Sequence, residues 1–151
     1  MRRMTFTDIY AIRRIEKDRF TEIYSFTDYL KFLVYYPTLC LVIDLDGELA
    51  AFIIGTTEIL GDVIYGHVSS LIVRPQFRRR KFATQLMLEF ERVCREELEC
   101  SFINFFVNPA NSGALALYEK LGYRVHCTLP KYYNGRDDAL DMRKSIKDET
   151  Q

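Results

Sequence analysis

Four consecutive cations, Arg78-Arg79-Arg80-Lys81, follow a β-branched stretch (Leu71, Ile72, Val73) that stops at Pro75, and a helical pattern opens at about Lys81–Ala83. Strand, basic loop and helix start in that order make an anion site. The first-turn N–H groups point out of the helix, and the dipole favours negative charge there. Guanidinium and ammonium groups beside them suit a phosphate-bearing ligand. Taken alone, the same run also fits a nuclear-localisation or nucleic-acid patch, but its place between strand and helix favours phosphate. Other residues have chemistry to offer and an ordinary reading beside it. Tyr118 shares a helix face with Ala114, Leu117 and Leu121, as a core tyrosine would. His67 sits in a strand whose alternation sets His67, Ser69 and Leu71 on one face. Tyr132 and Tyr133 precede an Asn134-Gly135 turn, where an aromatic hairpin end is the plain interpretation. Glu22 reads as a solvated acid, and Phe20 and Tyr24 as loop anchors.

Positioning these residues requires a particular run of elements. Met1–Phe6 reads as a strand, and Thr7 as the cap of a helix running to about Lys17, with Ile9, Ile12 and Ile15 on one face. Thr27 is the expected cap of a second helix, Asp28–Tyr35, ended by Pro37. Its Tyr29, Leu30, Phe32 and Leu33 are more apolar than one buried face needs. Leu39–Leu45 and Leu49–Thr56 flank an Asp46-Gly47 hairpin turn, and Val63–Val73 follows after Gly61-Asp62. A helix from about Lys81 to Leu98 leads to the apolar strand Phe102–Val107. Asn111 or Ser112 caps a helix through Leu121, stopped by Gly122. Tyr123–Leu129 and Ala139–Met142 complete the series. The order β-α-α-β-β-β-α-β-α-β-β predicts an α/β (α+β) fold, a mixed sheet with helices on both faces. The crossover helix makes Val63–Val73 and Phe102–Val107 parallel neighbours.

The bulk numbers agree with a catalytic or binding domain. A chain of 151 residues, 48% apolar and 28% charged, is globular and long enough for a sizeable core. Acidic and basic residues balance at 21 each, which disfavours a globally basic nucleic-acid binder. Cys40, Cys94, Cys100 and Cys127 lack CxxC spacing and there are two histidines, so no metal site is indicated and free thiols are expected. No signal-type or membrane-spanning segment is evident, which predicts a cytoplasmic protein with no membrane partner.

Two motifs give this order a family. Arg78-x-x-Lys81-x-Ala83 resembles the R/Q-x-x-G-x-G/A loop of the GCN5-related N-acetyltransferase (GNAT) superfamily. Asn111-x-x-Ala114-x-x-x-Tyr118-x-x-x-Gly122-Tyr123 resembles its second helix motif. Finer blocks, Thr21-Glu22-Ile23-Tyr24, Gly66-His67-Val68-Ser69, Phe77-Arg78-Arg79, Lys131-Tyr132-Tyr133 and Asp141-Met142-Arg143-Lys144, are similar to the catalytic subunits of NatB N-terminal acetyltransferases. The likeness spans about Thr5 to Lys144, so residues 1–151 are expected to form one GNAT domain with a mostly antiparallel sheet and a splayed parallel pair.

The resemblance implies acetyl-CoA as co-substrate, held where the parallel strands part. Leu71, Ile72 and Val73 would pair with the pantetheine arm. Arg78, Arg79, Arg80, Lys81, Phe82, Ala83 and Thr84 would hold the pyrophosphate, with Asn111 and Tyr118 completing the cofactor side. It further implies that Tyr118 protonates the departing thiolate, that His67 and Tyr132 serve catalysis, and that Glu22, Tyr24, His67, Ser69, Tyr132 and Tyr133 bind substrate. The implied reaction is acetyl transfer to the N-terminal Met of Met-Asp, Met-Glu, Met-Asn or Met-Gln proteins. Implied partners are nascent N-termini, a helical-repeat auxiliary subunit and the ribosome, without direct nucleic-acid contact. The alternatives are a GNAT enzyme acting on lysine or small amines, or a non-catalytic CoA-binding module. Lys81 stands where the superfamily has glycine. A helical backbone there would tolerate lysine and add attraction to phosphate, whereas positive φ would cost about 1 kcal/mol. The helical conformation is the expectation, with weakened CoA binding as the alternative.

Overall fold

The computed structural model describes residues 1–15, 20 and 24–147. One seven-stranded sheet, in the order β1-β2-β3-β4-β5-β7-β6, carries helices on both faces. The strands are β1 (Arg2–Arg3), β2 (Cys40–Leu45), β3 (Glu48–Leu60), β4 (Val63–Val73), β5 (Phe102–Val107), β6 (Arg124–Tyr133) and β7 (Asp137–Ser145). The helices are α1 (Phe6–Arg13), α2 (Phe26–Tyr35), α3 (Phe82–Glu96) and α4 (Ser112–Lys120). The expected order, the extents of β4 and β5 and their parallel pairing all hold.

Several boundaries differ from the sequence reading, for local reasons. The first strand is only Arg2–Arg3, and α1 begins earlier than a Thr7 cap would allow. Thr5 is the cap, and its backbone N–H donates to the Asp8 carboxylate at 2.7 Å. Of the expected extension to Lys17, residues 16 and 17 lie outside the described residues. α2 is capped by Ser25, whose Oγ accepts from the Asp28 N–H at 3.1 Å, so Thr27 falls inside the first turn. β3 and β6 run past their expected ends because hairpin pairing continues, and β7 does so at its far end because Arg143–Ser145 pair with β5. Asn134 and Gly135, at φ 53° and 69°, close the last hairpin and let Tyr133 pair with Asp137.

Two cores flank the sheet. On one face α3 and α4 cover Leu86, Phe90, Ile103, Phe105 and Tyr123; on the other α1 and α2 cover Ile9, Ile12, Tyr29, Phe52 and Ile54. Gly55 and Gly66 admit α3 closely: a Cβ at Gly55 would stand 2.5 Å from the Phe90 ring, and one at Gly66 would stand 2.6 Å from Cys94 Sγ. Residue alternation along β5 sends Ile103, Phe105 and Val107 into the α3 core and leaves Asn104 and Phe106 on the opposite face.

Candidate active site

β4 and β5 pair at Tyr65–Phe102, Gly66–Ile103 and His67–Asn104, and the ladder goes no further. Beyond it, β4 stays with β3 while β5 follows β7, so the two parallel strands part. The point of parting coincides with a bulge. Ile54 pairs with Ser70 and Gly55 with Val68, which leaves Ser69 as the extra residue. The bulge overturns the simple alternation expected for β4. Val68 and Leu71, three residues apart, both pack into the α3 core, while Ile72 joins the α1–α2 core. Leu71 therefore does not share a face with His67.

Leu71–Val73 thus run along the parted edge, where a strand-like amide arm can pair with backbone. Val73 leads into the basic loop. Arg78 Nε donates to the Val73 carbonyl at 3.4 Å, and the Arg80 guanidinium lies 5.5 Å from the Phe77 ring centre. Arg79 and Lys81 both occupy the left-handed region, at φ 67° and 61°. The expectation of a helical Lys81 is therefore corrected. Lys81 is the residue before α3, with no side-chain cap, and the chain must turn sharply there to present the amides of Phe82, Ala83 and Thr84. The first turn of α3 contains no acid. Cations, free helix-start amides and the parted edge form a donor set that fits the pyrophosphate and pantetheine of acetyl-CoA.

Tyr118 projects from α4 toward the α3 side of the sheet, its ring centre 4.1 Å from that of Phe105. Burial, with a smaller effect from nearby Tyr133, pushes its phenol up to about 12. It remains a proton donor throughout the neutral range. Asn111 caps α4, its Oδ1 accepting from the Ala114 N–H at 3.3 Å.

The opposite face holds the remaining site residues. His67 Nδ1 is 2.8 Å from Asn104 Oδ1, and Asn104 Nδ2 donates to Asp141 Oδ1 at 3.2 Å. Arg143 closes the line by donating to Asp141 Oδ2 at 3.1 Å. The His67 ring lies 5.1 Å from Phe106, Phe106 5.2 Å from Tyr132, and Tyr132 5.0 Å from Tyr133 in an edge-on pair. The Tyr24 hydroxyl donates to the Ser69 carbonyl at 3.2 Å. Tyr24 and His67 thereby meet at the bulge, Tyr132 and Tyr133 follow on from His67 through Phe106, and Tyr133 lies near enough to Tyr118 to act on its phenol. Glu22 lies outside the described residues. Asn104 and Phe106 are neighbours that the sequence reading did not single out, and Asp141 entered it only within the Asp141-Met142-Arg143-Lys144 block. A polar asparagine inside an otherwise apolar strand was the available signal for Asn104.

A mixed sheet whose parallel strands part beside a cationic helix start defines a GNAT-type acyltransferase, and the Acetyltransferase (GNAT) family profile matches residues 9–123. The chain belongs to that family, and within it to the acetyl-CoA-dependent N-terminal acetyltransferases. It is 35% identical to N-alpha-acetyltransferase 20 of Dictyostelium discoideum, over 97% of this chain and 85% of the relative. It is 31% identical to the N-terminal acetyltransferase B complex catalytic subunit NAA20 of Arabidopsis thaliana, over 97% and 84% of the two chains. The fold matches that of a chain in the NatB acetyltransferase complex bound to CoA and MES, with a TM-score of 0.84, 28% identity and coverage of 97% and 98%.

Proposed function

We propose that this chain is a NatB-type catalytic subunit that acetylates the α-amine of proteins beginning Met-Asp, Met-Glu, Met-Asn or Met-Gln. The observation that carries this reading is the cluster at the bulge, where His67 and Tyr24 meet the point at which β4 and β5 part and Tyr132 and Tyr133 continue from it through Phe106. A substrate amine approaching from that side meets polar groups suited to a peptide N-terminus and a polar second side chain. Acetyl-CoA supplies the activated acetyl group.

The division of labour follows from ordinary acidities. A peptide α-amine has a pKa near 7.7–8.0, so much of it is neutral at pH 7, whereas a lysine amine near 10.4 needs far stronger help. A weak base in contact with the amine or a bound water is enough, and His67 and Tyr132 occupy the position for it. Tyr118, kept protonated by burial, donates to the leaving sulfur as the carbon–sulfur bond breaks, and recovers a proton from solvent. Backbone N–H groups near Leu71 and Ile72 stabilise the oxygen that gains charge.

A protein partner has support of its own. α2 buries Tyr29 fully and leaves Val34 and Tyr35 63% and 71% exposed, and Phe6 and Tyr10 of α1 are exposed as well. This apolar surface suits an auxiliary subunit that would bring the enzyme to nascent chains at the ribosome. No described helix is long and apolar enough to cross a membrane.

Acetyl-CoA turnover on Met-Asp, Met-Leu, Ser-Glu and internal-lysine peptides tests the reading. Met-Asp should be the preferred substrate. Preference for Met-Leu or lysine peptides would sink the NatB assignment, and CoA binding without turnover, with an auxiliary partner present, would indicate a binding module.

A further inference from the structure

Asn104 and Asp141 are buried polar residues, 3% and 4% exposed, and no step described so far uses them. We infer that they are positioning residues. Through them, Arg143 fixes the proton of His67 on Nδ1 and leaves Nε2 as a hydrogen-bond acceptor for a substrate N–H. This inference rests on the proposed N-terminal acetylation.

Arg143 anchors the outer end of the line. Arg143 has only donors, so the Asp141 carboxylate takes its hydrogen bond at 3.1 Å and offers nothing but lone pairs to its other neighbours. Cys127, at 3.8 Å, is a second and weaker donor to the same carboxylate. Asn104 must therefore turn its NH2 toward Asp141, at 3.2 Å. That fixes the amide the other way round at its far end, where the oxygen faces His67 at 2.8 Å. An amide oxygen only accepts, so Nδ1 must carry hydrogen. In the neutral ring, Nε2 then has the lone pair, and it has no protein partner among the described residues.

The fold holds this line stiffly. His67 is in register with Asn104 across β4 and β5, and Asn104 with Arg143 across β5 and β7. The Arg143 guanidinium lies 4.9 Å from the centre of the Phe102 ring, which fixes the outer end. A buried network with every member satisfied specifies one arrangement, because reversing the Asn104 amide would set oxygen against carboxylate and NH2 against an Nδ1–H. A line of this kind aims one nitrogen and is more than the sheet's stability requires, since three apolar residues would fill the same space without a polar cost.

The test is direct because the chain has two histidines and His126 is exposed. Imidazole 15N shifts of the full chain, read at a pH where both rings are neutral, report which nitrogen bears hydrogen. His67 should show the Nδ1–H pattern, and His126 the usual Nε2–H preference. In Asp141→Asn the amide of Asn104 is no longer held one way, so His67 should become a mixture of tautomers. The kcat/KM for a Met-Asn peptide should fall about tenfold or more, mainly through kcat. Asn104→Leu should give the same loss. An Nε2–H pattern for His67 in the unaltered protein overturns the inference, even if Asp141→Asn fails to fold. Unchanged 15N shifts and unchanged kcat/KM in a folded Asp141→Asn protein also overturn it. The spectrum needs no substrate, so an Nδ1–H His67 in a chain inactive on Met-Asp and Met-Asn peptides would defeat the proposed specificity and leave the positioning role supported.

Discussion

The Tyr24 hydroxyl reaches the carbonyl of Ser69, 45 residues away in sequence, at 3.2 Å. The carbonyl belongs to the one residue of β4 that the bulge leaves without a β3 partner, so the bond ties the segment before α2 to the point where the sheet opens. The Tyr24 ring is clasped edge-on by Tyr29 and Phe32, 5.7 and 5.5 Å away, which keeps the hydroxyl aimed. Tyr24→Phe should preserve that packing and lose the hydrogen bond to Ser69, worth about 1 kcal/mol. Peptide KM should rise about fivefold with little change in kcat. Steady-state kinetics at saturating acetyl-CoA checks this.

Tyr118→Phe should lower kcat about a hundredfold while CoA affinity stays within about twofold, because the ring packing against Phe105 is retained and only the proton donor is lost. Single-turnover rates and calorimetric CoA binding separate the two. Equal turnover by both proteins would make Tyr118 a core residue.

The same burial predicts an alkaline effect on stability. The Tyr118 phenol is raised from 10 to about 12, so between those values the folded protein keeps a proton that the unfolded chain has lost. Stability from this group is complete below pH 10 and declines as pH rises toward 12. Denaturation midpoints across that window should fall less steeply in Tyr118→Phe.

Lys81, at φ 61°, should be improved by the residue its family prefers. Lys81→Gly removes a steric cost of about 1 kcal/mol and should raise the unfolding free energy by up to that amount. Lys81→Val, β-branched in a left-handed conformation, should lower it by at least as much. Urea denaturation of the three proteins gives the order Gly, Lys, Val.

Glu91 joins α3 to the far strands from inside the core. It accepts from the Tyr123 hydroxyl at 3.0 Å, and Lys144 Nζ donates to both its oxygens at 3.1 Å. The carboxylate is 4% exposed and Lys144 27% exposed, so the ammonium retains some solvent when the charge is removed. Glu91→Gln should therefore destabilise the protein by about 2 kcal/mol, less than breaking a fully buried pair. Chemical denaturation should show this with catalysis in the folded protein unchanged.

Much of this architecture is legible along the chain. Apolar, partly β-branched runs between turn residues mark β4 and β5 to the residue, Pro75 and the cation run mark the basic loop, and Asn111 marks the start of α4. The boundaries that shifted, at Thr5 and Ser25, involve competing cap residues two positions apart, and a side-chain hydrogen bond to one backbone amide decides between them. The helix-or-strand character of each segment, the crossover that makes β4 and β5 parallel, and the two GNAT motifs are local in sequence, so sequence alone determined the family and its acetyl-CoA co-substrate. Ser69 as a bulge, Lys81 in the left-handed region and the line from His67 through Asn104 to Asp141 were decided only in the tertiary structure. The last of these joins residues that are each 37 positions apart. Register between distant strands sets which polar groups meet, and a bulge on one strand reverses the face of every residue beyond it. Neither is written in the periodicity of the strand itself.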